Sequence, residues 1–217
     1  MPSLSNLEVR TNPSYGCSAN DYPWGSINDF LDRSTPPLVN FSLSLLGMTL
    51  IEGIPSFMEV VRRLPELATF KLALEYPLGL DTPLTAFYSS LSELLATLTV
   101  PSNASAERVI APKLKKFCLT VTERYKPLSR IKICQEMVSF AASRSEKGLI
   151  SSRMNNIVLP LDEFMLEIHS SSGVLEKWPS FHAEMSDEDK VKGLWNQVRE
   201  LTAGGMKCTI EQWGRSW

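Results

Sequence analysis

The sequence predicts an α/β solenoid in which parallel strands form a sheet on the concave face and helices cover the convex face. The main support is the pattern Leu-x-x-Phe-x-Leu, which recurs with steps of 29, 47 and 47 residues. The four copies are Leu38/Phe41/Leu43, Leu67/Phe70/Leu72, Leu114/Phe117/Leu119 and Leu161/Phe164/Leu166. Helical segments separate the copies, and polar residues alternate with apolar ones inside them, so helices are expected on one face only. A strand–helix unit that returns in this way is typical of a solenoid.

Side-chain alternation determines which residues of each copy face the core. The first, fourth and sixth residues are predicted to face the interior, and the others the exterior. A looser copy, Leu4/Leu7/Val9, predicts a first strand, while Met206, Cys208 and Ile210 predict a closing strand. The exposed face is then predicted to carry Asn6, Glu8, Arg10, Asn40, Ser42, Ser44, Thr69, Lys71, Ala73, Lys116, Cys118, Thr120, Glu163, Met165 and Glu167.

Five helices are predicted from apolar residues spaced three and four apart. These residues are Ile27, Phe30 and Leu31; Phe57, Val60, Val61 and Leu64; Leu84, Phe87, Tyr88, Leu91, Leu94, Leu95 and Leu98; Ile133, Met137, Phe140 and Ala141; and Val191, Leu194, Trp195, Val198 and Leu201. The expected limits are Pro36-Pro37, Pro65 and Pro101 after the first three helices, Ile131 to Ser143 with Gly148 just beyond for the fourth, and Ser186 to Gly204-Gly205 for the fifth. Leu95/Leu98/Val100 also fits the strand pattern, but Pro101 would truncate a strand, so we assign it to the third helix.

Composition favours one globular domain over residues 1–217, with about five or six strand–helix units. The chain is 43% hydrophobic and has a formal charge of -2, so no basic excess points to nucleic acid. It shows neither a secretory signal nor an apolar run of the roughly 20 residues that a membrane span needs. Its four cysteines are widely spaced, which predicts reduced thiols, no metal site and no cofactor in a cytoplasmic or nuclear protein.

Catalytic residues are sparse in this sequence. A hydrolase could use Cys118 or Ser172 as the nucleophile and His169 as the base, and Lys116 would lower the pKa of the Cys118 thiol. No Gly-x-Ser-x-Gly motif surrounds Ser172, and the chain has only two histidines. We therefore predict a non-enzymatic protein, with the hydrolase as a second alternative.

The two ends of the predicted solenoid raise separate questions. Trp178, Trp195, Trp213 and Trp217 are expected either to cap the last unit or to form a partner-binding patch. The first strand would expose an edge of the sheet. We therefore expect the chain to be a fragment of a longer product, or its edge to be covered by a partner or a second copy.

Two segments carry a resemblance to a known family. In residues 27–43, a helix ends in Arg33-Ser34 and leads through Pro36-Pro37 into a strand; in residues 137–144, an apolar helix closes in Ser143-Arg144. With the strand pattern, these segments resemble the leucine-rich repeat region of fungal, basidiomycete-type F-box proteins over nearly the whole chain. The resemblance implies a ribonuclease-inhibitor-like horseshoe that recognises substrates for ubiquitination.

The sequence departs from that family in two ways. Positions where the generic repeat carries Asn or Cys hold Leu46, Glu75, Thr122 and His169, so no asparagine ladder is expected. There is also no room for an F-box before Leu4, so a cullin-RING ligase adaptor is expected as a partner only if an F-box precedes this chain. A stand-alone adaptor or scaffold unrelated to ubiquitin is the first alternative.

The sequence thus predicts a module that binds a protein partner through the concave sheet face, with no nucleic acid or membrane among its partners. The predicted binding residues are Glu8, Asn40, Ser42, Thr69, Lys71, Lys116, Cys118, Glu163 and Met165.

Overall fold

The computed structural model describes residues 4–10, 24–34, 37–46, 56–76, 84–100, 109–123, 130–152, 158–170 and 188–213. These residues form an α/β fold with a six-stranded sheet. The strands are β1 (Asn6–Arg10), β2 (Asn40–Leu46), β3 (Thr69–Tyr76), β4 (Lys116–Glu123), β5 (Glu163–Ser170) and β6 (Lys207–Trp213). The described helices are α1 (Trp24–Ser34), α2 (56–62), α3 (Leu84–Leu98), α4 (Arg130–Ser143), α5 (Glu146–Ser151) and α6 (Glu188–Ala203).

Every neighbouring pair of strands is parallel, and the strands follow one another in chain order across the sheet. Parallel crossovers are almost always right-handed, so a sheet that grows in one direction sends all its connections to the same side. The parallel sheet and the assignment of Leu95 and Leu98 to a helix, α3, are confirmed.

The four copies of the strand pattern lie side by side in register. Phe41 is aligned with Phe70, Phe70 with Phe117, and Phe117 with Phe164. The first, fourth and sixth residues of all four copies are each at most 2% exposed, which confirms the predicted interior. The strands then continue past the pattern and bury one further row, which consists of Leu45, Leu74, Val121 and Ile168.

Aromatic contacts join the helices to the buried face of the sheet. Phe70 lies 5.8 Å from Phe41 and 5.5 Å from Phe117, measured between ring centroids. Phe57 of α2 lies 5.7 Å from Phe70, and Phe140 of α4 lies 5.0 Å from Phe117. Such ring pairs add to the free energy gained from burial, so this stack is a centre of the core.

A buried arginine connects successive units. Arg144 follows α4, is fully buried, and donates hydrogen bonds from Nε to Leu98 O at 2.8 Å, from Nη1 to Ala111 O at 3.0 Å and from Nη2 to Ile110 O at 2.6 Å. Its own carbonyl accepts a hydrogen bond from Leu161 N at 2.8 Å. Burial lowers the pKa of the Arg144 guanidinium to about 10, so it stays charged at neutral pH. Arg144 therefore connects the end of α3 with the segments that lead into β4 and β5.

Two apolar residues lie outside the predicted interior. Leu4 is 43% exposed, because it precedes β1 at the edge of the sheet. Trp195 is 46% exposed, although Leu194, Val198 and Leu201 of the same helix are buried. The predicted inward position of Leu4 is wrong, and Trp195 does not pack into the core with the rest of its apolar stripe. Ser186, Trp178 and Trp217 lie outside the described residues, so the predicted start of the fifth helix at Ser186 and the predicted cap or binding patch of tryptophans stay predictions.

Gly148 lies inside a helix rather than just beyond one. Helix α4 ends at Ser143, as expected, and α5 follows after a short break with Ser145 as its N-cap. A Cβ atom on residue 148 would lie 2.2 Å from Ala142 O and 2.9 Å from Ser143 O. Glycine is required here because α5 approaches the end of α4 too closely for a side chain.

Candidate functional site

The described helices leave one side of the sheet uncovered, and we call it the open sheet face. It carries the outward residues of all six strands in four rows. The first row is Asn6, Asn40, Thr69, Lys116, Glu163 and Lys207; the second is Glu8, Ser42, Lys71, Cys118, Met165 and Thr209; the third is Arg10, Ser44, Ala73, Thr120, Glu167 and Glu211; and the fourth includes Glu75, Thr122 and His169. None of these residues is buried, although the strands themselves are central to the fold.

The nine predicted binding residues lie together on this face. All nine line one depression of about 950 Å³ that extends from β1 to β5. Leu7, Phe41, Leu72 and Phe117, which alternate with these residues along the strands, also line it. The structure thus brings these residues into a single concavity.

The β4–β6 side of the open sheet face is held by ion pairs. Glu163 lies between Lys207, at 2.7 Å, and Lys116, at 3.3 Å. The hydrogen bond from Lys207 is the main cause that holds the pKa of Glu163 below its ordinary value; Lys116 acts in the same direction and burial opposes both. Two rows further, Thr120 Oγ1 donates to Glu167 Oε2 at 2.9 Å. The polar groups of this side are largely occupied by one another.

The β2–β3 side differs in that several of its donors are free. Within the part of the chain that the structure describes, the hydroxyls of Ser42 and Thr69 and the ammonium of Lys71 make no hydrogen bond or ion pair. Ser42 and Lys71 are directly aligned, and Thr69 lies two residues before Lys71 on the same side of β3. At the edge of this group, Asn40 Nδ2 donates to Asn6 Oδ1 at 2.5 Å.

Cys118 is not an activated thiol. Burial is the main cause that raises its pKa. The hydrogen bond with Thr120 opposes burial, while the weaker effects of Glu167 and Glu163 raise the pKa and that of Lys71 lowers it. The predicted lowering of this pKa by Lys116 is therefore wrong. A protonated thiol is a weak nucleophile at neutral pH.

The proposed base of the hydrolase alternative lies far from Cys118. Cys118 is aligned with Met165, whereas His169 lies four residues further along β5, which corresponds to roughly 13 Å along the strand. General-base activation needs hydrogen-bond contact. The structure does not bring these two groups together, and Ser172 lies outside the described residues.

The positions that hold Asn or Cys in the generic repeat have a different environment here. Because β3, β4 and β5 continue past the final leucine of the pattern, Glu75, Thr122 and His169 lie on the open sheet face instead of in the interior. Leu46 occupies the same register position in β2. An Asn side chain at such a position would lie on the open sheet face and could not join a buried ladder, which accounts for the missing ladder.

Several residues of this face were not among the nine predicted ones. Lys207, Thr209 and Glu211 extend the first three rows onto β6. Alignment of Cys208 with the phenylalanines of the pattern would have placed Lys207 next to Glu163. The signal for the Lys116–Glu163–Lys207 ion pairs was thus present in the sequence.

The described residues contain no group of three or more His, Cys, Asp or Glu residues that could hold a metal ion. Among the same residues, every helix is too short or too polar to cross a lipid bilayer. Searches of protein-family models, curated proteins and solved structures return no match to this chain.

Proposed function

We propose that this chain is a leucine-rich-repeat-type solenoid, a horseshoe whose open sheet face is concave and binds a protein partner. Repetition in the backbone supports the architecture. Val39 O accepts hydrogen bonds from the N–H groups of residues 68 and 69, Ala68 O from those of residues 115 and 116, and Lys115 O from those of residues 162 and 163. The same two-donor contact thus starts β3, β4 and β5, as expected for repeating units.

The observation that carries the function is the uncovered face itself. Parallel sheets ordinarily have both faces covered, whereas no described helix covers this face, which presents four rows of mostly polar and charged side chains around a depression. Six strands and four rows correspond to roughly 24 Å by 20 Å. That is smaller than the roughly 800 Å² per partner of a standard protein interface, so a loop or extended segment fits this face best.

The wider role that we propose comes from the resemblance to F-box proteins. It is substrate recognition for a cullin-RING ubiquitin ligase, with the open sheet face as the substrate site. A stand-alone adaptor would use the same face for a different purpose. The two roles differ in the proteins that the full gene product recovers from cells, since only the first brings cullin-RING subunits with it.

The test is affinity capture with two matched variants. Ala73→Arg places a long side chain in the depression, whereas Ala96→Arg makes the same change on the exposed side of α3. We expect a partner that is captured by the parent chain and by Ala96→Arg but lost with Ala73→Arg, and that binds again when both proteins are purified. Partners that bind all three chains equally would contradict the proposal.

A further inference from the structure

We propose that Ser42, Thr69 and Lys71 form an anion-recognition site on the open sheet face, which accepts the carboxylate of an Asp or Glu side chain from an extended segment of the partner. This inference rests on the proposed function and identifies the chemistry of the partner. It is carried by one ammonium and two hydroxyls on neighbouring strands that make no hydrogen bond or ion pair within the described residues.

The donors converge on two neighbouring strands. Ser42 and Lys71 are directly aligned on β2 and β3, so their backbones are roughly 4.8 Å apart. Thr69 lies on the same side of β3, roughly 7 Å from Lys71 along the strand. An ammonium offers three donors and each hydroxyl one, and within the described residues none of them is used.

The surrounding charges do not compensate for Lys71. Its aligned neighbours are the hydroxyl of Ser42 and the thiol of Cys118, and Ala73 follows it on the open side of β3. The carboxylate of Glu8 is paired with Arg10 at 2.7 Å. The carboxylate of Glu163 already has two lysines within 4 Å. Lys71 therefore forms no ion pair within the described residues, and its ammonium lines a concavity where it can pair with an anion from outside.

The size of the charge favours a carboxylate over a phosphate. Lys71 supplies one positive charge, and the next lysine on this face, Lys116, is engaged by Glu163. A phosphorylated side chain carries close to two negative charges and is usually held by arginine pairs or clusters. No arginine lies among the described second-row residues around Lys71. One carboxylate matches one ammonium and two hydroxyls.

The shape of the depression fits an inserted side chain. Ser42, Thr69 and Ala73 are small, while Met165 on the opposite side is long, and all four line the concavity. A side chain that enters over β2 and β3 can therefore reach the hydroxyls, and Met165 offers apolar contact to the neighbouring residue of the segment. The site thus fits a short acidic segment of the partner in which an apolar residue stands next to the acidic one.

The experiment uses the full chain as bait for a displayed library of random dodecapeptides. Selections run in parallel on the parent, on Lys71→Glu and on Lys192→Glu, which makes the same charge change on the exposed side of α6. We expect Asp and Glu to be enriched with the parent and with Lys192→Glu, and the enrichment to disappear with Lys71→Glu. For one selected peptide, Lys71→Gln should weaken binding roughly 10- to 100-fold, because a charge-assisted hydrogen bond is lost.

Further arms separate the possible failures. The double variant Ser42→Ala/Thr69→Val removes both hydroxyls and should weaken the same peptide several-fold without altering the fold. If the selected peptides lose binding with Ala73→Arg but show no preference for Asp or Glu, this inference is overturned and the proposed function stands. If the peptides bind Ala73→Arg as well as the parent chain, or if the library yields no binders, both are overturned. Tighter binding of a phosphoserine version of the peptide would overturn the assignment to a carboxylate.

Discussion

The two faces of β3 differ in what determines their residues. On the buried side, Phe70, Leu72 and Leu74 repeat, with little change, the residues of β2 and β4 beside them. On the open side, Lys71 and Ala73 have neighbours of other types in every strand. The buried residues must fit one another to close the core, whereas no element of the described fold covers the open ones. Stability should therefore depend on one face, and binding on the other.

The largest effect on stability is expected at Phe70. Its ring contacts Phe41, Phe57 and Phe117, and it has no exposed surface. Phe70→Ala leaves a cavity in the middle of this stack and should lower the free energy of unfolding by about 3–5 kcal/mol. Urea unfolding followed by circular dichroism measures this difference. A loss below about 1 kcal/mol would mean that the stack does not form the centre of the core.

The second-largest effect on stability is expected at Arg144, whose charged side chain is buried in the core. Arg144→Ala removes three donors. Ala111 O keeps a hydrogen bond from Leu114 N. Within the described residues Leu98 O and Ile110 O lose their partner, which costs about 1–3 kcal/mol each, so we expect a loss of roughly 3 kcal/mol or more. Thermal and urea unfolding give the value. Arg144→Lys is the matched control: it retains the charge but lacks the planar fork, so it should recover only part of the loss. Full recovery with lysine would show that charge, and not hydrogen-bond geometry, matters.

The sequence predicted the buried face of the sheet, where the same residue types recur in each strand, far better than the contacts between individual helices and loops. Period-two alternation and the leucine–phenylalanine spacing predicted the interior residues of four strands, because those positions obey one local rule. The six-residue pattern missed the further row of Leu45, Leu74, Val121 and Ile168, although these residues continue the same alternation. That miss came from ending the pattern too early.

Other features depend on contacts that no local rule contains. An arginine after a helix is usually exposed, and it is contacts with the backbone carbonyls of residues 98, 110 and 111 that make the buried position of Arg144 favourable. Gly148 is needed because α5 returns onto the end of α4. On the open sheet face, the period predicted which residues point outward. It could not distinguish the free donors near Lys71 from the ion pairs around Glu163, since that depends on side-chain contacts across strands.

A smaller effect on stability, dependent on pH, is expected on the open sheet face at Glu163. Its pKa is lowered in the folded state, so between the folded and unfolded pKa values the folded chain binds fewer protons and stability rises with pH. The contribution is complete above the ordinary glutamate pKa of about 4.3 and is lost as the pH falls through the lower, folded value. Glu163→Gln should cost about 0.5–1 kcal/mol at pH 7, the range of a good surface pair, and nothing below that window.

Unfolding curves of the parent and Glu163→Gln between pH 3 and pH 7 measure this difference. Lys207→Met is the companion variant. If the ion pair is the cause, the two substitutions together should cost less than the sum of the two single changes. A pH-independent difference would assign the effect to packing of the glutamate stem instead.

The smallest effect on stability is expected at Lys71, directly beside Phe70 in the chain. Lys71 is exposed and has no hydrogen bond or ion pair to lose within the described residues, so Lys71→Ala should change the free energy of unfolding by no more than about 0.5 kcal/mol. Two adjacent residues of one strand would then differ severalfold in their contribution to stability, while the binding effect would follow the opposite order. The same urea series that includes Phe70→Ala gives the comparison. A loss above about 1 kcal/mol with Lys71→Ala would mean that the Lys71 ammonium stabilises the fold. It would then not be the free donor on the β2–β3 side on which recognition of an acidic segment depends.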